Sequence, residues 1–174
     1  AVMMAYHVSR KKRRKALIVP TVHPEYCATV RTYTQSLDIE IVAGSPDMDP
    51  LSLDVSALAA MVDQDTACVI VQNPDFFGQL YKWDVLAEAA HAAGALFVVS
   101  ADPISLGLFQ PPSAYGADIV IGEGQPLGLG LQFGGPYLGY FACRKEHVHR
   151  MAGRVVGETV DVDGKRGYVL TLTA

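Results

Sequence analysis

Ala67-Cys68-Val69-Ile70-Val71 is apolar at every position, and so are Leu96-Phe97-Val98-Val99 and Ile119-Val120-Ile121. A strand with one wet face alternates apolar and polar residues. An unbroken apolar run is buried on both faces, which is the condition of a parallel sheet covered by helices. Working outward, Ala16-Leu17-Ile18-Val19 is another such run, and Ile39 to Val42 is a short one. Helical segments alternate with these strands. One runs from the first residues through about Arg13, and His23-Pro24-Glu25 opens a second, with proline at a tolerated first-turn position. Asp54 caps a third, Val55 to Val62. Trp83 to Ala93 is a fourth and ends at Gly94, a natural left-handed terminator. Strands alternating with helices of about 8–14 residues predict an α/β fold, a three-layer α/β/α sandwich with a mostly parallel sheet. Tyr137 to Cys143 is a further strand that follows its predecessor without a helix, so it is expected to be antiparallel.

Composition sets the outer limits. Of the 174 residues 50% are apolar and 18% charged, ordinary for a single packed domain over residues 1–174. The formal net charge of −4 gives no reason to expect nucleic acid as a partner. The six cations Arg10-Lys11-Lys12-Arg13-Arg14-Lys15 read as a solvated helix end, where cations complement the dipole. The three cysteines, Cys27, Cys68 and Cys143, have no CxxC spacing, so neither a metal site nor a disulfide framework is indicated. Cys68 and Cys143 read as small buried hydrophobes, in keeping with a reducing cytoplasm. No run approaches the ~18 apolar residues of a membrane span, and no signal peptide is visible. Both ends read as cut from a longer polypeptide. The chain opens on helical Ala1-Val2-Met3-Met4 and closes on the strand Tyr168-Val169-Leu170-Thr171-Leu172.

In a parallel α/β sheet, ligands sit beyond the carboxyl ends of the strands. The segments there are Thr21 to Pro24, Gln72 to Gly78, Ser100 to Gly107 and Gly122 to Gly135, each polar or glycine-rich. A ligand site along that edge follows from this placement; its chemistry does not.

Four strings carry a resemblance. They are VHPEY (Val22 to Tyr26), QNPDFFG (Gln72 to Gly78), SADPISLG (Ser100 to Gly107) and ADIVIGEGQPLG (Ala117 to Gly128), the last continuing into FGGPYLGYFA (Phe133 to Ala142). With Met151 to Leu172 they run through nearly the whole chain in order, and the chain resembles the glycine decarboxylase P-protein family, in particular subunit 1 of its split, two-subunit form. That resemblance implies the large domain of the aspartate-aminotransferase-like (fold type I) pyridoxal-phosphate superfamily. It further implies decarboxylation of glycine, with the aminomethyl group passed to the lipoyl arm of H-protein. Pyridoxal phosphate would supply the electron sink for such chemistry.

The resemblance also assigns positions. The family's Schiff-base lysine falls on Gln125, which cannot form an imine, so pyridoxal phosphate is expected on the partner, subunit 2. The pyridine acid falls on Ser100, with Asp102 either substituting for it or shaping the loop before Pro103. His23 falls on the ring-stacking position, or it merely caps the helix that Pro24 begins. Asn73 matches a residue that touches the cofactor's 3-oxygen, or it serves as an Asn-Pro turn. Glu123, between two glycines, and Arg154 are further candidates for a cavity shared with the partner. Two alternatives remain: a structural pseudoenzyme half, and an independent enzyme of aminotransferase type, against which Gln125 argues.

Overall fold

The computed structural model describes residues 1–44 and 48–171. In chain order the elements are α1 (Val2–Val8), β1 (Lys15–Ile18), α2 (Pro24–Thr34), β2 (Glu40–Val42), α3 (Val55–Ala60), β3 (Thr66–Asn73), α4 (Asp84–Ala93) and β4 (Leu96–Ala101). After short 3-10 turns follow β5 (Ile119–Glu123), β6 (Gly139–Cys143), β7 (Val155–Val160) and β8 (Arg166–Thr171).

The first six strands form one sheet in the order β2-β1-β3-β4-β5-β6. Every pairing is parallel except β5 with β6, which is antiparallel, as the missing helix between them predicts. The chain steps from β1 out to β2 and then returns past β1 to β3. Right-handed crossovers therefore place α2 on one face of the sheet and α3 and α4 on the other. Contacts agree: α4 packs on β3, β4 and α3, while α1 packs on β3 beside α2. Three layers result, and the strand order changes direction between β1 and β3.

Burial explains the unbroken apolar runs. Leu17, Ile18, Val69, Val71, Phe97, Val98, Val99 and Ile119 are all sealed from solvent, joined by Leu58, Trp83 and Leu86 from the α3–α4 layer. Each such side chain contributes about 1.5–3 kcal/mol relative to exposure. Cys68 lies in the same core, where burial pushes its thiol up to about 12. Cys143 departs from expectation and is only half-buried, because β6 is an edge strand.

Local signals fix the helix ends. The Asp54 carboxylate accepts from the Ser56 and Ala57 amides at 2.9 and 3.1 Å. α3 then stops at Ala60, two residues short of expectation, as Met61 and Val62 bond back three residues and tighten the last turn. Trp83 caps α4 instead of opening it, and Gly94 ends that helix at φ 73°, a region that favours glycine.

The basic run differs most from the sequence reading. α1 ends at Val8, not near Arg13, and Arg10 and Lys11 turn the chain with φ 55° and 61°. A helix carrying six adjacent cations would set like charges one turn apart, which is unfavourable. The cations serve other elements instead. Arg13 Nη1 donates to the carbonyls of Thr66 and Ala93, so it closes the C-terminus of α4. Arg14 pairs with Asp38, and Lys15 with Asp63.

β7 and β8 form a separate antiparallel hairpin. β8 includes the strand expected from Tyr168, while Leu172 lies outside the described residues.

Candidate functional site

The loops after β1 and β3 meet where the strand order reverses. The His23 amide donates to Gln72 Oε1 at 2.9 Å, and the Phe76 amide donates to the Thr21 carbonyl at 2.9 Å. Between Gln72 and Phe76 the Asn73–Pro74 peptide is cis. Asp75 is buried and folds this loop, its Oδ1 accepting from Phe77 and Gln79 at 2.9 and 2.8 Å.

Beside this junction a cleft of about 130 Å³ opens beyond the ends of β3, β4 and β5. Tyr26, Gln72, Ser100, Asp102, Gly122 and Glu123 form its walls, with Pro74 and Pro126 at its margins. Pairing explains the assembly. Gln72, Ser100 and Ile121 are register partners on β3, β4 and β5, so Gln72 and Ser100 point to the same face. Gly122 is required by close approach: a Cβ there would collide with the Ala101 carbonyl and the Tyr140 hydroxyl. Tyr140 donates that hydroxyl to the Ala101 carbonyl at 2.5 Å. Burial, then the Asp102 charge, raises its phenol above the ordinary tyrosine range. A larger apolar cavity of about 310 Å³, under α1 and α2, shares Tyr26 and Ser100 with the cleft.

Each residue singled out in the sequence has a definite place. Ser100 is only 5% exposed and lines the cleft. Asp102 lines the cleft while its Oδ1 accepts from the Ile104 amide at 3.0 Å, so it also shapes the loop after Pro103. Glu123 lines the cleft and anchors the glycine-rich loop, its Oε1 accepting from the Gln125 and Leu138 amides at 2.9 and 2.5 Å. Gln125 does not line the cleft; its side-chain amide donates to the Gly134 carbonyl at 3.0 Å. His23 caps α2, Nδ1 accepting from Glu25 N at 3.1 Å, while its ring stacks on Tyr26 at 4.9 Å and meets the edge of Phe76 at 4.8 Å. Asn73 lies away from the cleft, in a hollow with Lys82, Trp83 and Tyr115. Arg154 is exposed just before β7 and is not among the residues lining the cleft.

The sequence did not single out Tyr26, Gln72 or Tyr140. Gln72 opens the QNPDFFG string, so its motif was visible, but its inward direction depends on strand register. Tyr26 sits in the first turn of α2 and Tyr140 on the antiparallel strand; nothing local marks either.

Pyridoxal phosphate, which the resemblance implies, does not fit this cleft. The charged side chains lining it are the carboxylates of Asp102 and Glu123, which would oppose a phosphate ester. None of the six lysines lines it. Lys145 follows antiparallel β6 and so lies at the opposite edge, since Cys143 pairs with Ile119 at the start of β5. Lys82 lines the neighbouring hollow. Among the described residues no group of three or more His, Cys, Asp or Glu side chains is placed to hold a metal ion.

Comparison with known proteins accounts for the arrangement. A protein of Carboxydothermus hydrogenoformans named probable glycine dehydrogenase (decarboxylating) subunit 1 is 49% identical over all of this chain and 38% of its own length. The protein of the same name from Sphingopyxis alaskensis is 48% identical over 99% of this chain and 38% of its own length. This chain thus spans well under half the length of those relatives. A crystal structure of a glycine decarboxylase P-protein of the glycine cleavage system, in inhibitor-bound form, superposes with a TM-score of 0.86 at 43% identity, covering 98% of this chain and 37% of that one. A lyase from Campylobacter jejuni carrying N′-pyridoxyl-lysine-5′-monophosphate shares the fold alone, at 10% identity and a TM-score of 0.53 over 70% of this chain. The family model described as glycine cleavage system P-protein matches residues 1–174, and the chain belongs to that family.

Proposed function

We propose that this chain is part of subunit 1 of a two-subunit glycine decarboxylase, which decarboxylates glycine and passes the aminomethyl group to the lipoyl arm of H-protein. Pyridoxal phosphate, held by subunit 2, supplies the electron sink. The single observation that carries this division of labour is the cleft. It is built from the family's own motifs, yet it presents Ser100, Asp102 and Glu123 and no lysine.

The role left to this chain is positioning. Glycine is so small that little binding energy comes from the substrate, so surrounding walls must orient it. Around the cleft, the β4–β5 and β5–β6 loops expose Leu108, Leu127, Leu131, Phe133 and Tyr137. An apolar rim of this kind suits a permanent interface with subunit 2 better than contact with water. We read the assembly as cytoplasmic. No helix among the described residues is long and apolar enough to cross a membrane.

The test is reconstitution with the cofactor-bearing subunit and measurement of glycine–bicarbonate exchange. His23→Ala and Glu123→Ala in this chain are expected to lower exchange by about tenfold or more, the loss produced by misplaced walls, while the subunits still associate. Unchanged exchange in both variants would favour a structural pseudoenzyme half, the reading toward which Gln125, tied to the Gly134 carbonyl, leans.

A further inference from the structure

A separate hollow of about 190 Å³ lies where the end of β3, the start of α4 and the β4–β5 loop meet. Two of the residues lining it carry buried polar atoms that have no partner among the described residues. They are Trp83 Nε1, a donor, and Asn73 Oδ1, an acceptor. Trp83 is only 1% exposed, and it is the one tryptophan in the sequence. A buried indole N–H normally finds a partner, as does a buried amide oxygen, so two open valences on one hollow point to a guest. α4 begins at the same place and no side chain caps it, so its first amides add further donors. A lone water would leave most of this space empty, since its share of volume is about 30 Å³.

The open valences define the guest, which must accept from Trp83 Nε1 and donate to Asn73 Oδ1. A carboxylate has no proton to give the Asn73 oxygen, and Asp84 on the same wall would repel it. An ammonium has no acceptor for the indole N–H, and Lys82 on the wall would repel it. With Lys82 and Asp84 balancing each other, a neutral guest fits best. An amide group places a carbonyl acceptor and an N–H donor on one rigid plane. Leu80 and Phe109 offer apolar wall to its carbon substituents. We propose that this hollow is a receptor for one neutral amide group, its carbonyl held by Trp83 and its N–H by Asn73. The amide is either that of a free small molecule or a peptide group of the partner subunit. This inference stands apart from the glycine decarboxylase reading, because its test measures neither turnover nor cofactor.

The probe is N-methylacetamide, titrated into the intact subunit and followed on the indole N–H proton resonance that disappears in Trp83→Phe. A saturable downfield shift is expected as the indole gains an acceptor. Methyl acetate lacks the N–H, and isopropanol carries both roles on one oxygen. Each should bind about fivefold more weakly or worse, the worth of one neutral hydrogen bond. Sodium acetate and methylammonium chloride, at matched ionic strength, should leave the resonance in place. Trp83→Phe and Asn73→Ala, followed on the Leu80 methyl resonances, should each weaken N-methylacetamide by about fivefold. The ester comparison needs no variant, so it decides should either one misfold. The assembled complex separates the sources. If N-methylacetamide still binds there, the guest is a free amide. If binding is lost and the Trp83 resonance already stands at its bound position, a peptide group of the partner fills the hollow. Loss of binding with that resonance at its free position overturns the proposal. So does an intact subunit that binds no N-methylacetamide, an ester or alcohol that binds as tightly, a shift caused by acetate or methylammonium, or unchanged affinity in either folded variant.

Discussion

The two edges of the six-stranded sheet are made from similar residue types and put to opposite uses. At the amino-terminal edge of the parallel strands, the main charges are partnered. Asp118, 6% exposed, accepts from the Phe97 amide at 2.8 Å, lies 2.9 Å from His91 Nε2 and takes Arg144 Nε at 3.0 Å. Arg13 closes α4, Arg14 meets Asp38, and Lys15 meets Asp63. At the carboxyl-terminal edge, Asp102 and Glu123 line an open cleft and each spends one oxygen on loop amides, with no cation beside them among the cleft's lining residues. Among the described residues, Thr21 Oγ1, Asn73 Oδ1, Asp75 Oδ2 and Trp83 Nε1 are buried without partners, all in or just after the loops that leave the carboxyl ends of β1 and β3. Buried polar groups are normally satisfied, so a concentration of exceptions at one edge marks where something else binds. The amino-terminal edge holds the fold, and the carboxyl-terminal edge leaves valences open for function.

Removing charges from each edge should therefore have different consequences. The largest loss of stability is expected from Asp118→Ala, which strips the Phe97 amide of its buried partner, removes the carboxylate beside His91 and leaves Arg144 Nε only the Ala117 carbonyl. Denaturant unfolding should show about 1–3 kcal/mol lost, with the cleft residues undisturbed. A loss no larger than that of a cleft variant would erase the contrast.

A smaller effect is expected from Ser100→Ala. Deleting a hydroxyl that lines the open cleft should leave stability unchanged or slightly raised, within about 0.5 kcal/mol. A clear loss would mean that Ser100 is already satisfied internally.

The smallest effect concerns pH. The hydrogen bond from Lys15 holds the Asp63 carboxyl below the usual carboxylate range, burial opposing it. A lowered folded pKa contributes stability that is present above the unfolded value, about 3.9, and is lost as pH falls through the folded value. Lys15→Met should thus cost at most about 1 kcal/mol at neutral pH, and the gap from the parent should close as pH falls below about 4. A gap that persists in acid would trace to lost packing of the lysine stem instead.

Legibility in the sequence follows the same division. The strands could be read because burial on both faces leaves unbroken runs such as Val69 to Val71 and Leu96 to Val99. Asp54 and Gly94 could be read because caps are local chemistry. The end of α1 could not, because the fate of Arg10 to Lys15 depends on carboxylates and carbonyls supplied from residues 38, 63, 66 and 93. In the cleft, Ser100, Asp102 and Glu123 were visible because they end strands or follow them. Tyr26 and Tyr140 reach the cleft only through the packing of α2 and the antiparallel register of β6. Arg154 lies within a characteristic string just before the separate β7–β8 hairpin, and it is not among the residues lining this cleft.

The central claim is that the covalent chemistry belongs to the partner and the walls to this chain. Borohydride reduction of the reconstituted complex, followed by peptide mapping, tests it directly. The expected result is a pyridoxyl group on a lysine of the partner subunit, with Lys11, Lys12, Lys15, Lys82, Lys145 and Lys165 all unmodified. A pyridoxyl adduct on this chain, at Lys82 or Lys145 above all, would contradict the account.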